Sequence, residues 1–160
     1  MAERPTRTPP YRAYAAIAGV YVGGLGVAGL AARVFGRNPA CQTTLDFAVL
    51  SAASFKAART LAHDEVTSFL REPFVQGDAH EGDEEPLESG DFRQAIGELV
   101  TCSRCGGTWA AAALATTQIL APRFGRLLTW SLAASGVNDW LQAGFAAVTQ
   151  KANELDERTP

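Results

Sequence analysis

Two cysteines three residues apart, Cys102 and Cys105, open the stretch TCSRCGGTWAAAALATTQIL at residues 101–120. Thiols at this C-x-x-C spacing can supply half of a structural zinc site or form a dithiol–disulfide couple. Zinc asks for four ligands, and no second pair exists, so Cys41, His63, His80 or another subunit would have to complete the set. A redox couple would draw on a helix N-terminus, whose partial positive charge stabilises a thiolate, and on the neighbouring Arg104. No thioredoxin-like strand and helix pattern surrounds the pair, however. The third reading is architectural, because Gly106 and Gly107 let another backbone come close where the chain enters a helix. All three readings are open at this level. An odd count of three cysteines gives no disulfide framework of the small secreted type.

The second feature with chemical content is a set of charges inside apolar segments. Asp139 lies near the middle of Leu127–Val148, and Ser131, Ser135, Asn138, Gln142 and Thr149 fall on the same side of that helix. In a soluble bundle that row is merely the wet face; in a membrane an ionisable group at that depth must face protein or water. Thr44–His63 carries Phe47, Leu50, Phe55, Ala58 and Leu61 at helical spacing, with Lys56, Arg59 and His63 opposite. A lone buried charge is costly, whereas a hydrogen-bonded pair is much less so. The residues therefore predict that Arg59 meets Asp139, since its planar fork holds a carboxylate with two bonds, with Lys56 as the second candidate. No phosphate-binding loop, Ser-His-Asp set or zinc-protease motif is present, so whether the chain is an enzyme is open.

The elements that must position these groups read as helices. Ala13–Ala32 runs uncharged behind Arg4, Arg7 and Arg12, long enough to cross a bilayer. A basic tail over 1–12 and a transmembrane helix over 13–34 follow, with a cleaved signal peptide as the rival and lipid attachment at Cys41 a weaker idea. Ala15, Gly19 and Gly23 line one face of that helix, where a second copy or another membrane protein can approach. The Thr44–His63 helix either spans or lies in the interface. The residues DEVTSFLREPF then close it, Pro73 disfavouring helical geometry at Glu72. Phe92–Leu99 forms amphipathic turns before the cysteines. Trp109 opens a third segment that stops before Pro122 unless it starts nearer Cys102, and Pro122–Arg126 is a tight reversal into Leu127–Val148. These last two segments make an antiparallel hairpin. Residues 149–160 form a polar tail.

Charge is distributed unevenly. Gly77–Asp91 holds seven of the 17 carboxylates and neither Lys nor Arg, so the net charge of -3 becomes +4 once that loop is set aside. The loop reads as a solvated linker, and the mildly basic remainder suits anionic lipid at the edges of an apolar body. No nucleic-acid partner is expected.

Arg59 with Asp64 and Thr67, the Arg71 and Pro73 pair, Glu98, the CSRCGGTW run with Trp109, and Asp139 together resemble a bacterial membrane-protein family, the domain of unknown function 1360, which includes a Bacillus protein linked to sporulation. The resemblance runs from about Leu45 to Ala147. The family pattern places a proline and an aromatic residue between its cysteines, where this chain has Ser103 and Arg104. The resemblance implies a multi-helix membrane protein and no particular activity.

The expected fold is all-α: a small helical membrane protein with three or four membrane-associated helices and one acidic loop, its family-like domain covering 44–148. The expected location is the bacterial cell membrane, multi-pass, with a cytoplasmic N-terminus. A structural or scaffolding role leads. The alternatives are a metal or redox module on Cys102 and Cys105, and a membrane enzyme or transporter component using Arg59, Asp64 and Asp139.

Overall fold

The computed structural model describes residues 9–77 and 84–156, without the Cys41 side chain. Arg4, Arg7, His80 and the carboxylates Asp78, Glu81 and Asp83 lie outside that range, as do the last four residues. The fold is all-α. Among the described residues the helices are α1 (Tyr11–Val34), α2 (Thr44–His63), α3 (Ser68–Arg71), α4 (Phe92–Thr101), α5 (Ser103–Leu120) and α6 (Pro122–Asp156). A two-residue antiparallel ladder joins β1 (Val75–Gln76) to β2 (Glu85–Pro86).

Local signals explain where the helices begin. Thr43 and Asp46 close a capping box on α2, the Thr43 amide donating to Asp46 at 2.9 Å and the Asp46 amide to the Thr43 hydroxyl at 3.2 Å. Asp91 caps α4 by accepting from the Arg93 amide at 2.8 Å. The Cys102 sulfur accepts from the Cys105 amide at 3.3 Å and so caps α5, which therefore starts immediately after Cys102 rather than at Trp109.

Two expectations about breaks are corrected. Glu72 keeps helical angles, φ -43° and ψ -42°, and α2 ends at His63, well before Pro73. Glu72 thus keeps the geometry that Pro73 disfavours, and Pro73 sits inside a single 3-10 turn, Glu72–Phe74, directly after α3. The hairpin reversal is also tighter than Pro122–Arg126: only Ala121 separates α5 from α6. Pro122 suits a first helical position because its missing N–H has no partner to lose there. Gly125 makes the reversal fit, since an added Cβ would stand 2.5 Å from the Gln118 Cα.

The four long helices form a bundle with alternating directions. Arg126 approaches Asp46 at 3.7 Å and Lys56 meets Asp139 at 2.8 Å, so α2 and α6 run parallel. His63, at the end of α2, reaches Ser103, at the start of α5, at 2.9 Å, so these two are antiparallel. Tyr21 stands edge-on to Trp109, with ring centroids 5.2 Å apart, and Tyr14 bonds Glu98 of α4. The start of α1 therefore lies at the cysteine end, parallel to α5. The short elements α3, α4, β1 and β2 cap that same end.

The interior consists of small side chains. The buried apolar residues are Ala13, Ala32, Ala53, Ala58, Ala62, Ala95, Leu114 and Ala133, with Ser54 and Thr129 among them. Gly136 brings α6 onto α2, for a Cβ there would meet the Lys56 Cβ at 3.2 Å. Val49, Leu50, Leu128 and Leu132 pack against the cluster of Ala53, Leu114 and Ala133, but many large apolar side chains point outward: Phe47 is 70% exposed, Leu127 68%, Trp140 69% and Phe145 76%. By length and composition α1 is the one described helix apolar enough to cross a membrane. The Ala15, Gly19 and Gly23 face is open along α1, with nothing within 4 Å of a Cβ built on either glycine. Beyond Asp139, α6 carries a solvent-exposed run to Asn153 and remains helical to Asp156.

Candidate functional site

The chemistry-bearing residues gather at the capped end of the bundle in three groups. In the first, the Cys102 and Cys105 sulfurs lie 2.6 Å apart as free thiols. The helical start of α5 sets this closeness: Cys102 occupies the capping position, and Cys105, one turn on, turns its thiol back to it. The Cys105 thiol donates to the Cys102 sulfur, as does the Cys105 amide, and this holds Cys102 below the ordinary thiol range. The bond that stabilises the Cys102 thiolate raises Cys105, because that proton is held between the sulfurs. Two thiols in this state share one proton less readily lost and one thiolate more readily formed. The arrangement can close to a disulfide or hold a soft cation on one side.

The remaining ligands expected for zinc are not assembled here. Among the described residues no group of three or more His, Cys, Asp and Glu side chains could hold a metal ion. His63 instead bonds Ser103. Cys41 ends the 3-10 turn Pro39–Cys41 at the α1–α2 junction, away from the capped end, and His80 lies outside the described residues.

The second group is a buried clamp. Arg71, 1% exposed, donates to Glu84 from Nε at 2.6 Å and from Nη2 at 2.9 Å. Its Nη1 reaches the Leu61 carbonyl at 2.7 Å, the Asp64 carbonyl at 3.0 Å and the Thr67 hydroxyl at 2.9 Å. Thr67 in turn donates to the Thr60 carbonyl at 2.6 Å and the Asp64 carbonyl at 2.9 Å. A planar guanidinium with this many acceptors satisfies the free carbonyls at the end of α2, which a helix terminus otherwise leaves unpaired. Asp64, Thr67 and Arg71 thus form a structural knot. Glu84 belongs to the acidic segment that reads as a plain linker in sequence; with the β1–β2 ladder and the Asp91 cap it is tied down on both sides of residues 78–83.

The third group is the ion pair between long helices, and here the predicted partner is corrected. Asp139 pairs with Lys56, at 2.8 Å, and not with Arg59. Lys56 also stands 3.7 Å from Asp64. The cause is helix rotation: Lys56 lies in the seam that Gly136 opens between α2 and α6, whereas Arg59 is turned outward and exposed. Ser131, Ser135, Asn138 and Gln142 are exposed along α6, so the polar row is not buried with Asp139.

Sequence reasoning named Glu98 and Trp109 only as motif residues, and the structure joins them in a cavity. Glu98 accepts from the Tyr14 hydroxyl and from Gln94 Nε2, the latter at 2.9 Å. Glu98 and Tyr14, with Tyr21, Trp109 and Cys105, line a cavity of about 400 Å³ where α1 packs against α4 and α5. Tyr14, Tyr21 and Gln94 were not singled out from sequence. The only available signal was aromatic spacing of seven in α1.

The chain is 32% identical over 117 residues to the sporulation protein YjcA of Bacillus subtilis (strain 168), covering 61% of this chain and 95% of that protein. It is 28% identical over 104 residues to the UPF0713 protein YngL of the same organism, covering 61% of this chain and 76% of that protein. No solved structure matches it. The model of the family described as protein of unknown function (DUF1360) matches residues 49–145, from within α2 to within α6, and takes in the clamp, the cysteine pair and Asp139. The chain belongs to this family, DUF1360.

Proposed function

We propose that the chain is an integral membrane protein whose whole helical bundle, rather than α1 alone, sits in the bilayer and serves a structural or scaffolding role. One observation carries this reading: among the described residues the fully buried apolar side chains are alanines save Leu114, while Phe47, Phe55, Leu127, Trp140, Leu141, Phe145 and Val148 face outward. A water-soluble domain places such residues inside, and exposed apolar area on this scale marks an interaction surface. Lipid tails are as apolar as leucine, so helices in a bilayer associate through small residues and close packing instead. The 20 residues of α2 extend about 30 Å, the thickness of the hydrocarbon core. Arg59, near the end of α2, can extend its head toward the headgroups.

The Tyr14–Glu98 and Tyr21–Trp109 contacts support placing the N-terminus and the cysteine pair on one side, the cytoplasmic side by the arginines ahead of α1. The open Ala15, Gly19 and Gly23 face and the exposed polar row of α6 are surfaces for a second copy or another membrane protein. Alkaline carbonate extraction tests the bilayer residence: the full chain stays with the membrane pellet and leaves it only with detergent. Release into the supernatant would remove the reading. That the relative YjcA is a sporulation protein supports a role in sporulation for this chain, and a deletion strain scored for spore yield tests it.

A second reading, a dithiol–disulfide module at the headgroup end of α5, is favoured by the 2.6 Å sulfur separation at a helix N-terminus. Thiol counting before and after mild oxidation tests it, with loss of two thiols per chain and no intermolecular crosslink as the supporting result.

A further inference from the structure

We infer that the cavity between α1, α4 and α5 binds a prenylated quinone, a planar two-electron acceptor with an apolar tail, which the Cys102–Cys105 dithiol reduces. The inference rests on the membrane and dithiol readings above. The cavity, of about 400 Å³, falls in the range that holds small organic ligands, and its walls divide by chemistry. Ile17, Val22, Ala95 and Leu99 make it apolar, and the edge-to-face pair of Tyr21 and Trp109 offers flat surfaces for a ring. Glu98, bonded by the Tyr14 hydroxyl and Gln94, forms the polar end, where a ring oxygen finds a proton donor and acceptor. Cys105 contributes to the same wall.

Two further features select a tailed ligand over a small one. Farther along the same α1–α5 seam lies a second cavity of about 160 Å³, lined by Leu25, Ala28, Gly29, Ala115 and Ile119, which is apolar and follows the direction a tail would take. The window of α1 apolar enough to cross a membrane is only 6% buried, so the seam is reached from the lipid side in the proposed embedding. A compound dissolved in the bilayer is therefore the natural occupant, and a thiol on the wall needs that occupant to accept electrons.

The step balances without any other reagent. Cys102 ionises first, its proton held at Glu98; the Cys105 thiol then passes its proton across their hydrogen bond to the Cys102 sulfur as the Cys105 sulfur adds to a ring carbon and forms a C–S bond, and the proton from Glu98 reaches the conjugated ring oxygen that takes up the displaced electron pair. Cys102 then attacks the Cys105 sulfur; the S–S bond forms, the C–S bond breaks, and its electron pair remains with the ring. The two thiol protons end on the two ring oxygens, the dithiol is oxidised to the disulfide and the quinone is reduced to the hydroquinone. Glu98 holds a proton at the polar end during the exchange. Cys102, whose thiolate is the more readily formed, suits the attacking role in the second half.

The test uses the full chain in detergent, reduced, with a benzoquinone carrying one or two isoprene units as probe. Hydroquinone formation is followed by absorbance, and thiols are counted in parallel with a water-soluble aromatic disulfide. The inference predicts one hydroquinone per two thiols lost and a rate that saturates with quinone. Ala18→Phe, which fills the cavity from α1, and Trp109→Ala should each raise the half-saturating concentration at least tenfold, a larger change than either makes in the rate with the water-soluble disulfide. A rate linear in quinone and equal in both variants would overturn the inference, as would thiol loss by stable arylation with no hydroquinone released. If the water-soluble disulfide fails to yield an intramolecular disulfide, the dithiol reading itself fails; if it succeeds and the quinone arm alone fails, only the cavity assignment does.

Discussion

Arg71 holds Glu84 across the chain with two near-parallel hydrogen bonds, 2.6 Å and 2.9 Å long, both side chains buried at 1% and 6% exposure. The pair joins Arg71, the last residue of α3, to Glu84 in the middle of the acidic segment 77–91, 13 residues on in sequence.

Removing one partner of such a pair leaves the other charge buried and alone. Arg71→Ala or Glu84→Ala should therefore lower stability by about 3–5 kcal/mol, while an Arg71→Met, Glu84→Leu double change should cost much less than the two single changes combined. Thermal unfolding followed by helix content in detergent reads the difference. Equal melting of the wild type and Glu84→Ala would show that the clamp does not hold the cap.

Lys56 and Asp139 make a weaker pair, because their side chains are 16% and 41% exposed. Lys56→Ala should destabilise by about 1 kcal/mol and Arg59→Ala by less, with the Lys56→Asp, Asp139→Lys exchange recovering part of the loss. A double-mutant cycle on unfolding measures the coupling. Coupling of Asp139 to Arg59 but not to Lys56 would contradict the observed register.

Much of the helix pattern was legible because apolar spacing and chain punctuation are local. The hairpin, the start of α4 and the apolar first helix all follow from such signals. Asp139 could be recognised as a candidate for pairing because it is the one charged residue between Leu127 and Val148. Choosing Lys56 over Arg59 required the rotation of α2 against α6, which Gly136 sets through a contact 80 residues away in the chain. Glu84 was read as one carboxylate among seven because nothing local distinguishes it; only Arg71, buried from another element, does. The same reason hid the cavity, whose walls come from α1, α4 and α5.

The cysteines give a prediction with a sign in pH. Cys102 lies below the ordinary thiol range and Cys105 above it, so alkylation with iodoacetamide should begin at Cys102 as pH rises and reach Cys105 only at higher pH. Cys105→Ala removes the thiol donor and should move the Cys102 profile upward. Peptide mapping after brief labelling across a pH series distinguishes the two. Identical profiles for both thiols, or a Cys102 profile unmoved in Cys105→Ala, would remove the shared-proton account.

The claim that the whole bundle is embedded can be separated from a single anchor by labelling with a carbene precursor attached to a lipid tail. Photolysis in native membranes should mark outward residues of three helices: Val22 and Leu25 on α1, Phe47 and Phe55 on α2, and Leu127 and Val137 on α6. Ala53 and Ala133, inside the bundle, should remain unlabelled. Labels confined to α1, with none on α2 or α6, would contradict the account and leave residues 44–156 as a body held at the membrane by one helix.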